Sequence, residues 1–232
     1  MISPVEVSAD RAASYRMFSR IFFKPLDEAE IHRFAAMDYI ALAQQLEGTG
    51  LLAEGFNDMG RALKRHHTGT RQQLATDYTM CFDGVESLEG EVAVPYASVF
   101  ISEKALLNQE PRHQVYRVYR DEGIKLDSKI RLPEDHLSFE LEFIALLADR
   151  AGLALKDDNP SEAIRNLELS REFIDQHIFS WFDLFAKRAE KILKTRFYRG
   201  ALKATRGYLE LDLDTIADLI EIISGEGLDE GK

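Results

Sequence analysis

The stretch Leu132 to Leu147, LPEDHLSFELEFIALL, constrains this chain more than any other. It carries the marks of a helix start. Pro133 suits a first helical position, and Glu134 and Asp135 then place negative charge at the positive end of the helix dipole. With successive side chains turned by about 100°, Glu134, Ser138, Glu142 and Asp149 share a polar arc. Leu137, Phe139, Leu141, Phe143, Ile144, Leu146, Leu147 and Ala148 fill an apolar one. His136 and Glu140 fall in the middle of that apolar arc. Two ionisable groups aimed into a core are costly unless they find partners or line a pocket. Asp135, in the first turn at the border of the arcs, is expected to stay solvated, so that Asp135→Asn barely changes stability.

A chain of 232 residues has room for one large domain or two small ones, and 45% hydrophobic with 30% charged residues is ordinary for a globular protein. Apolar runs such as Ile144 to Ala148 are far shorter than the roughly 20 residues of a membrane span. The start, MISPVEVSAD, has neither the basic nor the apolar region of a secretion signal, so no membrane span and a cytoplasmic location are expected. The lone Cys81 excludes an internal disulfide and a thiolate zinc cage, leaving a small core residue. The net charge of −11 argues against general nucleic-acid affinity and favours basic partners.

Along the chain, helix follows helix. Ser8 is placed to cap a first segment that runs to Pro25, and Asp27 starts a second. Tyr39 to Leu46, Leu51 to His66 and Thr70 to Phe82 follow, with breaks at Gly48, Gly50, Gly69 and the Asp83-Gly84 turn. After a polar loop, with Val92 to Val94 as the best strand candidate, a helical run resumes at Pro95 and extends to Gln109. Pro111 to Asp121 is the next helix. Loops are expected at Gly123 to Arg131 and Gly152 to Asn159. Residues Pro160 to Leu193 read as one long helix or two in series, with the stripe Phe173, His177, Trp181, Leu184, and Asp212 to Ile223 is amphipathic. With no repeat and no dividing linker, residues 1–232 read as a single all-α domain of about ten helices.

Signals for catalysis are sparse. His136-xxx-Glu140 places an imidazole and a carboxylate on one helical face, as metal sites and acid–base pairs require, but two ligands do not complete a site. The one Glu-x-x-His pair, Glu110 to His113, is interrupted by Pro111. Asp135-His136 reverses the His-Asp order of metal phosphohydrolases, and no phosphate loop, nucleophile elbow or Cys/His nucleophile pair is present. From pattern alone the buried polar groups read as structural ties between helices. A helical carboxylate/His metal enzyme is the alternative.

The stretch Pro133-x-Asp135-His136-xxx-Glu140-Leu141-x-Phe143 resembles the signature of the TorD-like family of redox-enzyme maturation chaperones, which includes the DmsD and NarJ types. Tyr78-xxx-Phe82-x-Gly84, the segment Pro95-Tyr96-Ala97-Ser98-Val99-Phe100, and His177-xxx-Trp181 resemble three further blocks of that family in the same order. The chain departs from it at Leu132, Cys81 and Ile144, where many members carry an acidic residue, Leu and Met.

The resemblance implies a cytoplasmic all-α chaperone that is no enzyme and needs no cofactor or metal. Its partner would be the catalytic subunit of a molybdopterin-containing oxidoreductase. The chaperone would bind that subunit's signal peptide, often of the twin-arginine type, or another region, and assist cofactor insertion before export or assembly. A receptor for a basic, apolar leader needs acidic groups beside an apolar groove. The candidate peptide-binding residues are Tyr96, Ser98, Phe100, Pro133, Asp135, His136, Glu140, His177 and Trp181. For each a plainer role stands beside it: Tyr96, Phe100 and Trp181 as core aromatics, Ser98 as a helix cap or tie, Asp135 as a helix N-terminal anion, His136 as a buried hydrogen-bonding group. Relatives occur as monomers and as swapped dimers, and the two expected loops are places for a swap hinge.

A rival feature lies between Lys187 and Arg206, where eight basic residues face Glu190 alone. Such a cluster suits phosphates of a nucleotide or nucleic acid. The acidic Glu210, Asp212, Asp214, Asp218 and Glu221 further on are expected to neutralise it by pairing between helices.

Overall fold

Ser3, Asp27 and Asn159 each accept a hydrogen bond from the backbone N–H three residues on, and each opens a helix. The computed structural model describes residues 2–45, 50–84, 92–102, 107, 109–127 and 129–225. Among these, eleven α-helices are present and no strand: α1 (Pro4–Phe23), α2 (Glu28–Ala35), α3 (Tyr39–Gln45), α4 (Leu51–Leu63), α5 (Thr70–Phe82), α6 (Ala97–Ile101), α7 (Glu110–Asp121), α8 (Leu137–Lys156), α9 (Pro160–Phe173), α10 (Phe182–Ile192) and α11 (Arg196–Ser224). A π-helical turn, Ile174–Ile178, joins the end of α9 to the turn before α10.

Two long pairings set the frame: α1 lies along α8, and α4 along α11. At the first, Ser19 and Ser138 each donate a hydroxyl to the other's carbonyl oxygen at 2.8 Å, both buried. Ser138 therefore faces α1 rather than solvent, while Glu142 and Asp149 do lie on the exposed side, paired with Arg16. At the second, glycine lets two backbones touch. A Cβ on Gly55 would stand 2.6 Å from the Gly200 carbonyl oxygen, and one on Gly200 would stand 2.7 Å from that of Gly55. Near the C-terminal part of α11, Asp212 is buried with Arg11, whose Nε donates at 2.6 Å, and with Tyr15, whose hydroxyl donates at 2.7 Å. The core runs on from these seams through Phe22, Tyr78, Phe82, Phe185 and Tyr198, packed edge to face and tilted.

Several sequence expectations need correction. Ser8 is inside α1, its hydroxyl returned to the Pro4 carbonyl, because Ser3 with Glu6 forms the cap five residues earlier. Gly152 is not in a loop: α8 continues to Lys156, and the absent side chain at Gly152 admits Ser8 of α1, whose Cβ would be 3.2 Å from a Cβ there. Val92 to Val94 form no strand, and the run after Pro95 is helical only from Ala97 to Ile101. The break at Gly48, the polar loop at 85–91 and positions 103–106 and 108 of that run lie outside the described residues. Pro111 does not interrupt α7 but sits in its first turn, where its missing N–H is not needed. The basic segment spans the end of α10 and the start of α11, and its second half, from Arg196, shares α11 with the acidic segment. Apart from Arg206 with Glu210, the basic residues pair chiefly with α4 and α10: Lys203 with Asp58 and Glu54, Arg196 with Asp58, Arg206 with Asp183.

Candidate functional site

The segment before α8 does not continue the helix toward its N-terminus. Pro133 to Asp135 form a turn, with the His136 N–H reaching the Pro133 carbonyl at 3.3 Å, and the helix starts at Leu137. His136 is the N-cap: its Nδ1 accepts from the Ser138 N–H at 3.1 Å. A ring nitrogen that accepts from an amide carries no proton, so the proton sits on Nε2. Burial holds the imidazole neutral, pushing its pKa down to about 3. His136 is therefore not on the apolar face of α8, and Asp135 is not in its first turn.

The turn pairs with the other motif segment. Ala97 donates its N–H to the Asp135 carbonyl at 3.1 Å, and Leu137 donates to the Pro95 carbonyl at 2.9 Å, forming an isolated antiparallel bridge between Tyr96 and His136. The Asp135 carboxylate, 0% exposed, crosses this bridge: its Oδ2 accepts from the Ser98 N–H at 2.8 Å and the Ser98 hydroxyl at 2.5 Å. It thereby caps α6, which has no cap of its own. The expectation of a solvated Asp135 is overturned. What displaced it is a long-range partner, 37 residues away in sequence.

Glu140 does face the core, 0% exposed, with one oxygen accepting from the Trp181 Nε1–H at 3.3 Å. Its other oxygen, Asp135 Oδ1 and the Tyr119 hydroxyl are buried without a hydrogen-bond partner among the described residues. Burial, and then the nearby Asp135 charge, holds the Glu140 pKa well above the usual carboxylate range, only partly opposed by the Trp181 N–H. The site thus stores a proton where an ordinary glutamate would have lost it. Trp181, itself fully buried, stacks on Phe100 at 5.7 Å, and the Arg188 guanidinium lies 4.9 Å over the same Phe100 ring.

Eight of the nine expected residues thus converge. Tyr96, Ser98 and Phe100 come from the segment around α6, Pro133, Asp135, His136 and Glu140 from the start of α8, and Trp181 from the N-cap of α10. His177 stands apart, half-buried in the π-helical turn with its ring 4.7 Å from that of Phe173. Burial lowers its pKa. Leu184, the last of the expected stripe, is 52% exposed, because the helix breaks at 179–181 and α10 restarts from its N-cap Trp181 with Phe182 and Phe185 turned inward.

Beside this cluster runs an aromatic row that is buried except at Phe23, which is half-buried. Tyr96 lies edge-on to His136 at 4.9 Å, His136 is 5.5 Å from Phe139, and Phe139 is 6.1 Å from Phe23. Asp83, exposed at the end of α5, is close enough to contribute with burial and Asp135 to the rise of the Tyr96 pKa to about 12. Phe23, Phe139 and Asp83 were not singled out in the sequence as site residues. The signal for Asp83 was its position inside the Tyr78-xxx-Phe82-x-Gly84 block. Glu134, also beside the row in sequence, is engaged by Arg112 at 2.5 Å.

Among the described residues no cluster of three or more His, Cys, Asp or Glu is arranged to hold a metal ion, and no helix is long and apolar enough to cross a membrane. Residues 49–187 match the family described as nitrate reductase delta subunit. The chain is 28% identical over 211 residues to the chaperone protein TorD of Vibrio cholerae serotype O1 (strain ATCC 39541), covering 91% of this chain and 94% of that one. It is 26% identical over 204 residues to the TorD of Vibrio parahaemolyticus, with 87% and 92% covered. A crystal structure of an Archaeoglobus fulgidus protein described as a candidate redox enzyme maturation protein matches with a TM-score of 0.44 at 21% identity, over 89% of this chain and 93% of that one.

Proposed function

Since the chain belongs to the nitrate reductase delta subunit family and is TorD-like, we propose that it matures a molybdopterin-containing oxidoreductase by binding the leader of the catalytic subunit in the cytoplasm. It would hold that subunit until its cofactor is inserted, with no cofactor or catalysis of its own, as a single domain whose core cluster extends from α1 to α11. The observation that carries this reading is the junction of the Tyr96 and His136 segments. It fixes two separate stretches of chain under one aromatic row, with the acidic Asp83 at its edge.

The chemistry follows from what a leader offers. An apolar region gains by covering the half-buried rings of Phe23 and Phe100, and a basic region gains from an acid at the rim. His136, buried and neutral throughout the physiological range, caps α8 and packs between Tyr96 and Phe139, fixing the ground beneath this face. Asp135 and Ser98 act beneath the surface, holding the two segments in register. Glu140 and Trp181 hold the floor on which Phe100 rests.

The test is a titration of the N-terminal peptides of molybdopterin-containing oxidoreductases from the same organism into wild type and Asp83→Asn, at low and high salt. Asp83→Asn should weaken binding at low salt by a few-fold, on the order of 1 kcal/mol for an exposed charge, and the difference should vanish at high salt. Absence of wild-type binding to any of these leaders would end the leader-recognition mechanism.

A further inference from the structure

A cleft of about 760 Å³ lies away from the motif residues, between the end of α4, the outer face of α5 and the junction of α10 with α11. Its apolar lining includes the buried Leu63, Leu74, Ile192 and Phe197, and Met80, which is 36% exposed. The exposed Arg65, Lys191, Lys194 and Arg196 stand around them. Asp77 is the one acidic residue in the lining among the described residues, and it is already engaged. Its carboxylate accepts from the Lys194 N–H at 2.9 Å, the Thr195 N–H at 2.8 Å and the Thr195 hydroxyl at 2.5 Å, closing the N-terminus of α11.

A second cleft, bounded by Asp58, Glu190, Lys194, Arg196, Arg199 and Lys203, shares Lys194 and Arg196 with the first. The two adjoin at those residues, with an apolar floor at one end and six cations set against Asp58, Asp77 and Glu190 around it, Arg65 and Lys194 standing nearest the floor without a carboxylate paired to either side chain in the lining among the described residues. In a chain of net charge −11, such local reversal of sign selects partners. From this complementarity we propose that the groove is a docking site for an acidic amphipathic segment of a protein partner. Apolar side chains of that segment would enter between Leu74, Met80, Ile192 and Phe197, and its carboxylates would meet Arg65, Lys194 and Arg196. A small anion satisfies only the cations and leaves the floor uncovered. A basic leader meets repulsion here and complementarity beside Asp83, so the two sites do not compete.

Helix α10 connects them. Trp181, at its start, belongs to the motif cluster, and Ile192, at its end, lines the groove. At 1.5 Å per residue the separation is about 16 Å, beyond the range at which substitutions ordinarily couple.

The test measures fluorescence anisotropy of a labelled amphipathic peptide with leucine on one face and glutamate on the other. Controls are the same composition scrambled, a lysine-for-glutamate version, and inorganic tripolyphosphate as competitor. The acidic amphipathic peptide should bind at least tenfold tighter than either peptide control. The double variant Arg65→Glu, Lys194→Glu and the single variant Met80→Glu should each weaken it at least tenfold, with far-UV circular dichroism and leader binding unchanged. Three results overturn the proposal: no binding of the acidic peptide, equal binding of the scrambled peptide with displacement by tripolyphosphate, or indifference to all three substitutions. Loss of leader binding with the acidic peptide still held would refute the leader reading and leave this one standing.

Discussion

Replacing Glu140 by glutamine should change how the stability of this protein depends on pH. The carboxyl is fully buried, and burial keeps its proton on in the folded state, whereas in the unfolded chain it is lost near the ordinary value of 4.5. Above that pH the folded state binds more protons than the unfolded one, so this group's contribution falls as pH rises. The fall is about 1.4 kcal/mol per unit for as long as the native carboxyl stays protonated. His136 works the other way. Its native ring is neutral down to about pH 3 while the unfolded imidazole protonates near 6.5, so its contribution grows with pH and is complete above 6.5. Between pH 4.5 and 6.5 the two slopes oppose, and the wild type hides both.

Glu140→Gln keeps an oxygen for the Trp181 N–H and removes the titration. Whatever constant offset the amide introduces, the unfolding free energy of the variant should rise relative to wild type across pH 4.5 to 6.5. The rise should steepen above pH 4.5, as the unfolded carboxyl ionises, and continue for as long as the native proton is retained. Urea denaturation followed by far-UV circular dichroism at pH 5, 6, 7 and 8 gives the difference directly. Parallel stabilities of the two proteins over that range would refute the reasoning, since they require a Glu140 that ionises in the folded state as freely as in the unfolded one.

Three other substitutions probe the frame. Asp135→Asn should cost about 1.5 to 3 kcal/mol in chemical denaturation, because the two hydrogen bonds from Ser98 lose their charged acceptor; an unchanged midpoint would show that Asp135 is not the tie. Gly55→Ala should lower stability by at least the 1 to 3 kcal/mol of ordinary overpacking, read as a fall in thermal midpoint, since the added methyl meets the backbone of α11. Asp212→Ala, which leaves the buried Arg11 uncompensated, should cost about 3 to 5 kcal/mol and is checked by the same melt; a loss under 1 kcal/mol would mean that water reaches the pair.

The all-helical character and the order of the elements were legible in the sequence, because helical periodicity and turn residues are local signals. Thr70 to Phe82, bounded by Gly69 and the Asp83-Gly84 turn, and the start at Asp27 with its capping partner Glu30 show it, since each signal lies within a few residues of the element it bounds. The four motif blocks also picked out side chains that the fold brings together, His177 excepted. Their arrangement did not follow as easily. Pro133, Glu134 and Asp135 are the residues expected in a first helical turn, and they suit the turn before a helix equally well. The cap here is His136, outside the usual set of Ser, Thr, Asp and Asn. The decision rests on Ser98, far off in the chain, and no local pattern contains it. Likewise a period of 3.6 cannot register the break at 179–181, where α10 restarts from its N-cap Trp181, so the inward residue after Trp181 was expected at Leu184 and is found at Phe185. Gly152 read as a loop signal and proved to be a point of contact between helices.

A helix of five residues is too short to hold itself together in water, and α6 has no cap from its own side chains. Its shape is borrowed from Asp135, across the bridge of Tyr96 and His136. The stretches on either side of that bridge are therefore one inheritance unit rather than two. A lineage that changes the acid at 135 loses the helical state at 97–101 with it, and one that changes Ser98 strands a buried carboxylate. Drift at either position is open only in company with the other, so new specificities on this face are expected to arise through the rings above the bridge, at Tyr96, Phe139 and Phe23, while the pair beneath stays fixed.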